Sequence, residues 1–211
     1  FEENGFTTKV TNTGEKKIIN VPFIYQSDNY KTACESLSAV MALQYYNQNI
    51  SPDTFINNYL DKGSYESFDP NVCFGGDPCG SGMGCYAPVT KAVNKYVSKT
   101  GAKLSATTVQ GQTLEYLCSQ YIDKNIPVIL WATTDMQTPF NGRKIPYGNS
   151  YIQWIAPEHC LVLVGYDDKN YIFNDSQRQA IIYYGKDIVT RAYLGLGSQA
   201  VVITPTNRSN P

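Results

Sequence analysis

The sequence predicts an α+β fold in which an early helix packs against an antiparallel sheet, and two patterns predict it. Helical spacing of apolar residues dominates up to Ile122, whereas short β-branched and apolar runs dominate from Ile126 to Ile203. The 211 residues are 42% hydrophobic and 17% charged, which suits one sizeable core. A single domain over residues 21–203 is expected, with an N-terminal extension 1–20 and a C-terminal tail 204–211.

Each element has a local reason. Residues 1–20 are polar, with brief apolar alternation around Val10 and Ile18-Ile19, and read as a tail. VPFIYQ (Val21 to Gln26) has strand composition, and SDNYK is a loop. In TACESLSAVMALQYY, Leu37, Val40, Met41 and Tyr45 recur at helical spacing. Thr32-Ala33-Cys34-Glu35 has the form of a capping box at its start. Ser51 followed by Pro52 announces a second helix carrying Phe55, Ile56, Tyr59 and Leu60. From Gly63 to Met83 the chain is rich in Gly, Asp, Ser and Pro without periodicity, which marks a long loop. Helices follow at Pro88 to Tyr96 and at Leu114 to Ile122, the second with Cys118 on its core side. IPVILWAT (Ile126 to Thr133) is a buried strand, and residues 134–157 read as irregular. EHCLVLVGYDDKNYIFNDS forms two strands around a DDKN turn, and further strand-like segments, including QAVVI at Gln199 to Ile203, close the chain.

Several function classes are disfavoured. The formal net charge is −1, from 17 basic and 18 acidic residues, and like charges cluster no further than the pairs Lys16-Lys17 and Asp167-Asp168. No nucleic-acid partner is expected from that balance. Apolar runs such as Ile126 to Ala132 fall well short of the roughly 20 residues that cross a bilayer, so no membrane partner is expected either. GGDPCGSG lacks the Lys-Ser/Thr pair of a phosphate-binding loop. Cys73, Cys79 and Cys85 recur at intervals of six in one glycine-rich loop. A zinc site there would need a fourth ligand, and the single histidine lies far off, so a local disulfide is the favoured reading and no metal is expected.

The chemistry-bearing residues are dispersed. Cys34 falls in the first turn of its helix, where unpaired N–H groups and the positive end of the dipole favour a thiolate. Glu35 beside it works against ionisation, so a cationic partner is needed. His159, just before the strand CLVLVGY, is the one available base of intermediate pKa. The strands around 159–166 and 171–175 run antiparallel, so His159 and Asp175 share one end of the pair. An odd-length connection would place Asp175 on the His159 face, with Asn174 the weaker candidate for orienting the imidazole. Gln26, eight residues before Cys34, can donate to an oxyanion without neutralising the thiolate, together with the Cys34 backbone N–H.

Gln26, Cys34 opening a helix, His159 before an apolar strand and Asp175 closing the next make a recognisable set. The sequence resembles the cysteine peptidase family 39-like proteins of the papain-like superfamily, relatives of the double-glycine peptidases that mature bacteriocins. The likeness spans residues 20–203 and is carried by VPFIYQ, ACESLSAVM, the FGGDP loop, IPVILWAT, EHCLVLVGYD and IFNDS. It implies a papain-like fold, no cofactor, and export to the outside or surface of a bacterial cell. The bacteriocin-processing members carry glycine directly after the nucleophile and are joined to transporter segments. Here Glu35 follows Cys34 and no such segments are seen, so cleavage of a double-glycine leader is not implied. The three loop cysteines look like local additions.

The leading expectation is a cysteine peptidase, a thiol hydrolase that cleaves peptide or related amide bonds of a peptide or protein substrate through an acyl-enzyme on Cys34. The same residues would serve a transpeptidase or acyltransferase, and the third reading is a peptide-binding module without chemistry. Trp131, Trp154 and Tyr86 are candidate walls of the substrate cleft, since aromatic side chains line many pockets.

Overall fold

The computed structural model describes residues 16–206, so the stretch around Val10 and residues 207–211 lie outside the described residues. The chain runs β1 (Lys17–Ile18), α1 (Cys34–Tyr45), α2 (Pro52–Asn58), β2 (Lys62–Gly63), β3 (Phe74–Gly75), α3 (Pro88–Thr100) and β4 (Leu104–Thr108). It continues through α4 (Leu114–Gln120), β5 (Val128–Thr133), β6 (Phe140–Tyr147), β7 (Ser150–Ala156), β8 (Glu158–Tyr166), β9 (Asn170–Asn174), β10 (Ile182–Gly185), α5 (Lys186–Gly195) and β11 (Ala200–Pro205).

The architecture is the α+β arrangement expected: a seven-stranded sheet in the order β10-β9-β8-β5-β11-β4, with β1 added at the far end of β8. All its pairings are antiparallel. Side-chain alternation divides the central strands between two cores. Ile129, Trp131, Cys160, Val201 and Ile203 meet Ala39, Val40 and Leu43 of α1. Val128, Leu130, Ala132, Leu161 and Leu163 meet Leu114 and Leu117 of α4 and Val189, Ala192 and Tyr193 of α5. Helix α1 is buried at every position from Cys34 to Leu43, so the single apolar stripe expected for it is replaced by packing on all sides.

Four expectations change. VPFIYQ is extended but joins no sheet: Pro22 has no N–H to give, the Val21 carbonyl accepts from Asn174 Nδ2 (3.0 Å), and the Gln26 N–H donates to the Ser176 carbonyl (2.7 Å). The capping box is absent, because Ala33 is the N-cap and Thr32 Oγ1 donates instead to the carbonyls of Asp77 (3.0 Å) and Pro78 (3.2 Å). Residues 134–157 hold the hairpin β6–β7, turned at Gly148-Asn149. Its residues are mostly solvent-facing, with Ile145 and Trp154 the buried exceptions, so no apolar alternation advertised it. The local disulfide is also absent: all six cysteines are free thiols. Cys79 packs near Ala33, Leu37 and Ile56, Cys73 against Phe68 and Trp154, and Cys85 is buried beside α1 and α3, so the three diverge from their common loop. Ser51 does cap α2 as read, accepting from the Thr54 N–H at 3.2 Å.

Candidate active site

Cys34 is the first residue of α1, and three connections fix where that helix end sits. Ser38 Oγ, one turn on, donates to the Cys160 carbonyl of β8 (3.2 Å). Gln26 joins the segment before the helix to the one after β9: its Nε2 donates to the Lys31 carbonyl (3.0 Å) and its Oε1 accepts from Ser176 Oγ (3.0 Å). One Gln26 amide hydrogen is thereby used, and the second has no acceptor among the described residues. Gln26 also lines a surface cavity of about 280 Å³ together with Tyr25, Lys31, Gln177 and Arg178.

His159 and Asp175 are brought together. His159 Nε2 lies 2.8 Å from Asp175 Oδ1, and both residues are 1% exposed. The β8–β9 register explains how. Tyr166 pairs with Tyr171 and Gly165 with Ile172, but Leu163 pairs with Phe173 and Val162 with Asn174. One residue of β8 is therefore bulged at Val164, and the bulge turns Asp175, rather than Asn174, onto the face of His159. The bulge coincides with the docking of β1, where a Cβ on Gly165 would lie 2.1 Å from the Lys17 carbonyl oxygen. Asn174 serves elsewhere, donating to Val21 and accepting from the Ile181 N–H (3.3 Å).

Asp175 carries three donors. Besides His159, its Oδ1 accepts from the Gln177 N–H (3.0 Å) and its Oδ2 from Tyr184 Oη (2.8 Å). Burial pushes its pKa up, but His159, Tyr184 and the Gln177 amide outweigh burial and hold it below the usual aspartate value. Because Asp175 engages Nε2 as an acceptor, the proton of a neutral imidazole resides there and Nδ1 presents a lone pair. That Nδ1 is buried and has no hydrogen-bond partner among the described residues.

The thiol is placed differently from the expectation of a thiolate. Cys34 is 4% exposed, and its Sγ donates to Glu35 Oε2 at 3.3 Å. It rests against the two residues flanking His159, the Glu158 carboxyl and the Cys160 backbone, and makes no hydrogen bond to the imidazole. Burial, then the charges of Glu35 and Glu158, drive its pKa well above the ordinary thiol value, so in this arrangement the sulfur is protonated.

Glu158 is a site residue that sequence reasoning missed. Its carboxyl lies within 4.8 Å of both the Cys34 sulfur and the Glu35 carboxyl. Burial raises the pKa of both acids, and the mutual repulsion raises Glu158 further, so the pair holds a proton between them. Glu35 Oε1 also accepts from the Cys85 N–H (3.2 Å). Tyr184 was missed as well, since nothing in IIYYG sets it apart from Tyr183.

The aromatic candidates form a cover, not an open wall. Trp154 stacks on Tyr86 (5.8 Å between centroids, 19° between planes) and adjoins Phe68 (6.3 Å), while Tyr86 meets Trp131 edge-on (5.7 Å, 74°). Trp131, 1% exposed, is a core side chain in this arrangement. The 64–87 loop and the β6–β7 hairpin interlock through Ser67 Oγ donating to the Pro146 carbonyl (2.7 Å) and Arg143 Nη2 donating to the Tyr65 carbonyl. Gly84 lies directly over the acids: a Cβ there would stand 2.5 Å from Glu35 Oε1 and 2.8 Å from Glu158 Oε2.

Comparison with known proteins agrees with this architecture. The chain is 29% identical over 198 residues to the uncharacterized protein YvpB of Bacillus subtilis, covering 90% of this chain and 77% of that one. The crystal structure of a C39-like protein from Bacillus anthracis superposes with a TM-score of 0.81 at 25% identity, covering 92% of this chain and all of that one. The peptidase domain of Streptococcus ComA, at 13% identity and a TM-score of 0.52 over 91% of this chain, shares the fold. No helix among the described residues is long and apolar enough to cross a membrane. Residues 18–201 match the model of the Peptidase_C39 like family, and the chain belongs to that family.

Proposed function

We propose that the protein is a cysteine peptidase that cleaves peptide or related amide bonds through an acyl-enzyme on Cys34. The observation that carries this reading is the buried His159–Asp175 pair, whose Nδ1 lone pair is left without a partner on the strand that Cys34 packs against. A general base held in one tautomer by a carboxylate with three donors is what a thiol nucleophile requires. An unpaired buried polar atom costs stability, and a proton-transfer role gives a reason for the protein to retain one.

In the mechanism that follows, the Cys34 side chain turns from Glu35 Oε2 toward His159 Nδ1 and gives up its proton there. The thiolate attacks the amide carbonyl, and the remaining Gln26 amide hydrogen and the Cys34 N–H receive the oxyanion. The imidazolium, stabilised by Asp175, protonates the leaving amine, and water releases the acyl group by the same base. Substrate approach requires the Trp154–Tyr86 cover to part. The fraction of protein in the open, turned arrangement then scales the rate.

The test is to incubate wild type, Cys34→Ala and His159→Ala with a diverse peptide library and to identify new termini by mass spectrometry. New termini confined to wild type support the mechanism. Cleavage that persists in Cys34→Ala, or a Cys34 that alkylates at the same rate with and without His159, would defeat it.

A further inference from the structure

The two acids beside Cys34 present a problem that the peptidase mechanism leaves unsolved. Glu35 is fully buried, Glu158 lies against it, and no lysine, arginine or histidine pairs with either among the described residues. Buried carboxylates are ordinarily paired with a cation or bound to a metal. A proton shared across the pair removes one charge, but Glu158 Oε1 is still shut from solvent without a partner. The indole N–H of Trp131, a residue 1% exposed, has no partner other than the Glu158 carboxyl that it faces, the position of an outer donor to a ligating carboxylate.

We infer that Cys34, Glu35 and Glu158 form a binding site for one thiophilic divalent cation of the zinc class. Their donor atoms all lie within 4.8 Å of one another. Zinc takes a thiolate at about 2.3 Å and a carboxylate oxygen at about 2.0 Å, and a tetrahedral angle between them sets the S···O edge at about 3.5 Å. The Cys34 Sγ to Glu35 Oε2 separation is 3.3 Å, close to that edge before any adjustment. The Cys85 N–H holds the other Glu35 oxygen, which fixes the carboxylate's orientation. Gly84 packs over both acids so closely that a substrate side chain reaches this point only if the loop moves.

Binding balances as an exchange: the cation enters as the Cys34 thiol gives up its proton to solvent. Affinity therefore rises with pH. If Cys34 is the nucleophile proposed above, the bound ion occupies its lone pair and holds the enzyme latent, but the binding itself does not depend on that reading.

The experiment titrates metal-stripped full-length protein with zinc by calorimetry, in buffers of different ionisation enthalpy, and with cobalt by absorption. One equivalent is expected, with proton release and a thiolate-to-cobalt charge-transfer band in the near ultraviolet. Zinc should also slow alkylation of Cys34 by roughly tenfold or more. Cys34→Ala and the isosteric Glu158→Gln should each weaken binding at least about tenfold. Cys73→Ser and Cys79→Ser should leave it unchanged, and a melting curve of each apo variant verifies folding. No saturable binding, or binding that survives in both Cys34→Ala and Glu158→Gln, overturns the inference. Zinc binding without peptide cleavage would uphold the site while counting against the proposed function.

Discussion

Replacing Tyr184 by phenylalanine removes one of the three donors to Asp175 and nothing else of that carboxylate's surroundings. The bond is 2.8 Å long and reaches the oxygen, Oδ2, that His159 does not use. A hydrogen bond to a charged group contributes about 1.5–3 kcal/mol net. Tyr184 is only partly buried, so water can replace its hydroxyl and the lower figure, about 1.5 kcal/mol, applies. For a domain of this size that loss lowers the melting temperature by about 3–6 °C. The pH dependence has a definite sign. Asp175 has a folded pKa below its unfolded value, so the stability it contributes is present above the unfolded value of about 3.9 and lost as pH falls through the folded one. The Tyr184→Phe deficit should thus be full at pH 7 and shrink under acid conditions. Urea denaturation of wild type, Tyr184→Phe, Asp175→Asn and the double variant isolates the pairwise coupling. A coupling within about 0.3 kcal/mol of zero at pH 7 would refute the role assigned to Tyr184.

Further outcomes follow from the cover and the acids. Gly84→Ala forces a side chain into contact with both carboxyls at a φ of +143°, and should cost about 1–3 kcal/mol in denaturant unfolding; an unchanged midpoint would contradict the packing described. Trp154→Ala should cost about 3–5 kcal/mol and speed alkylation of Cys34, because the stacked contact with Tyr86 is lost; destabilisation with no change in alkylation would show that Trp154 covers nothing relevant. The raised pKa values of Glu35 and Glu158 mean that the stability they permit is complete below about pH 4.3 and falls as pH rises through their folded values. With metal removed, Glu158→Gln should therefore melt higher than wild type at pH 8 and no higher at pH 4, a difference readable by calorimetry. Glu35→Gln removes a charge facing the sulfur and should move the alkylation pH profile of Cys34 to lower pH.

Much of the fold is written in local patterns. Ser51-Pro52 opens α2 because the hydroxyl caps and the proline needs no donor, and VILWAT becomes the central strand β5 because its residues suit burial on both faces. The elements that escaped notice are those whose period is weak: the solvent-facing hairpin β6–β7, the short strand β4, and α5, whose stripe of Val189, Ala192 and Tyr193 is brief. The capping box at Thr32 failed for another reason. Its hydroxyl is held by two carbonyls of the 77–78 turn, a long-range contact that no four-residue window contains, and Ala33 becomes the N-cap instead.

By itself the sequence determined which residue types are available for chemistry and which strand ends carry them. A single histidine precedes an apolar strand, and a cysteine opens a helix; such facts depend on local order alone. Tertiary structure decided which groups meet. Whether Asp175 or Asn174 faces His159 turns on one bulged residue at Val164, where β1 docks beside Gly165, and a one-residue slip in register exchanges the two faces of a strand. That Glu158, 123 positions after Glu35, shares a buried proton with it is likewise a product of helix α1 packing on β8, because burial and repulsion act through space and leave no mark on sequence spacing.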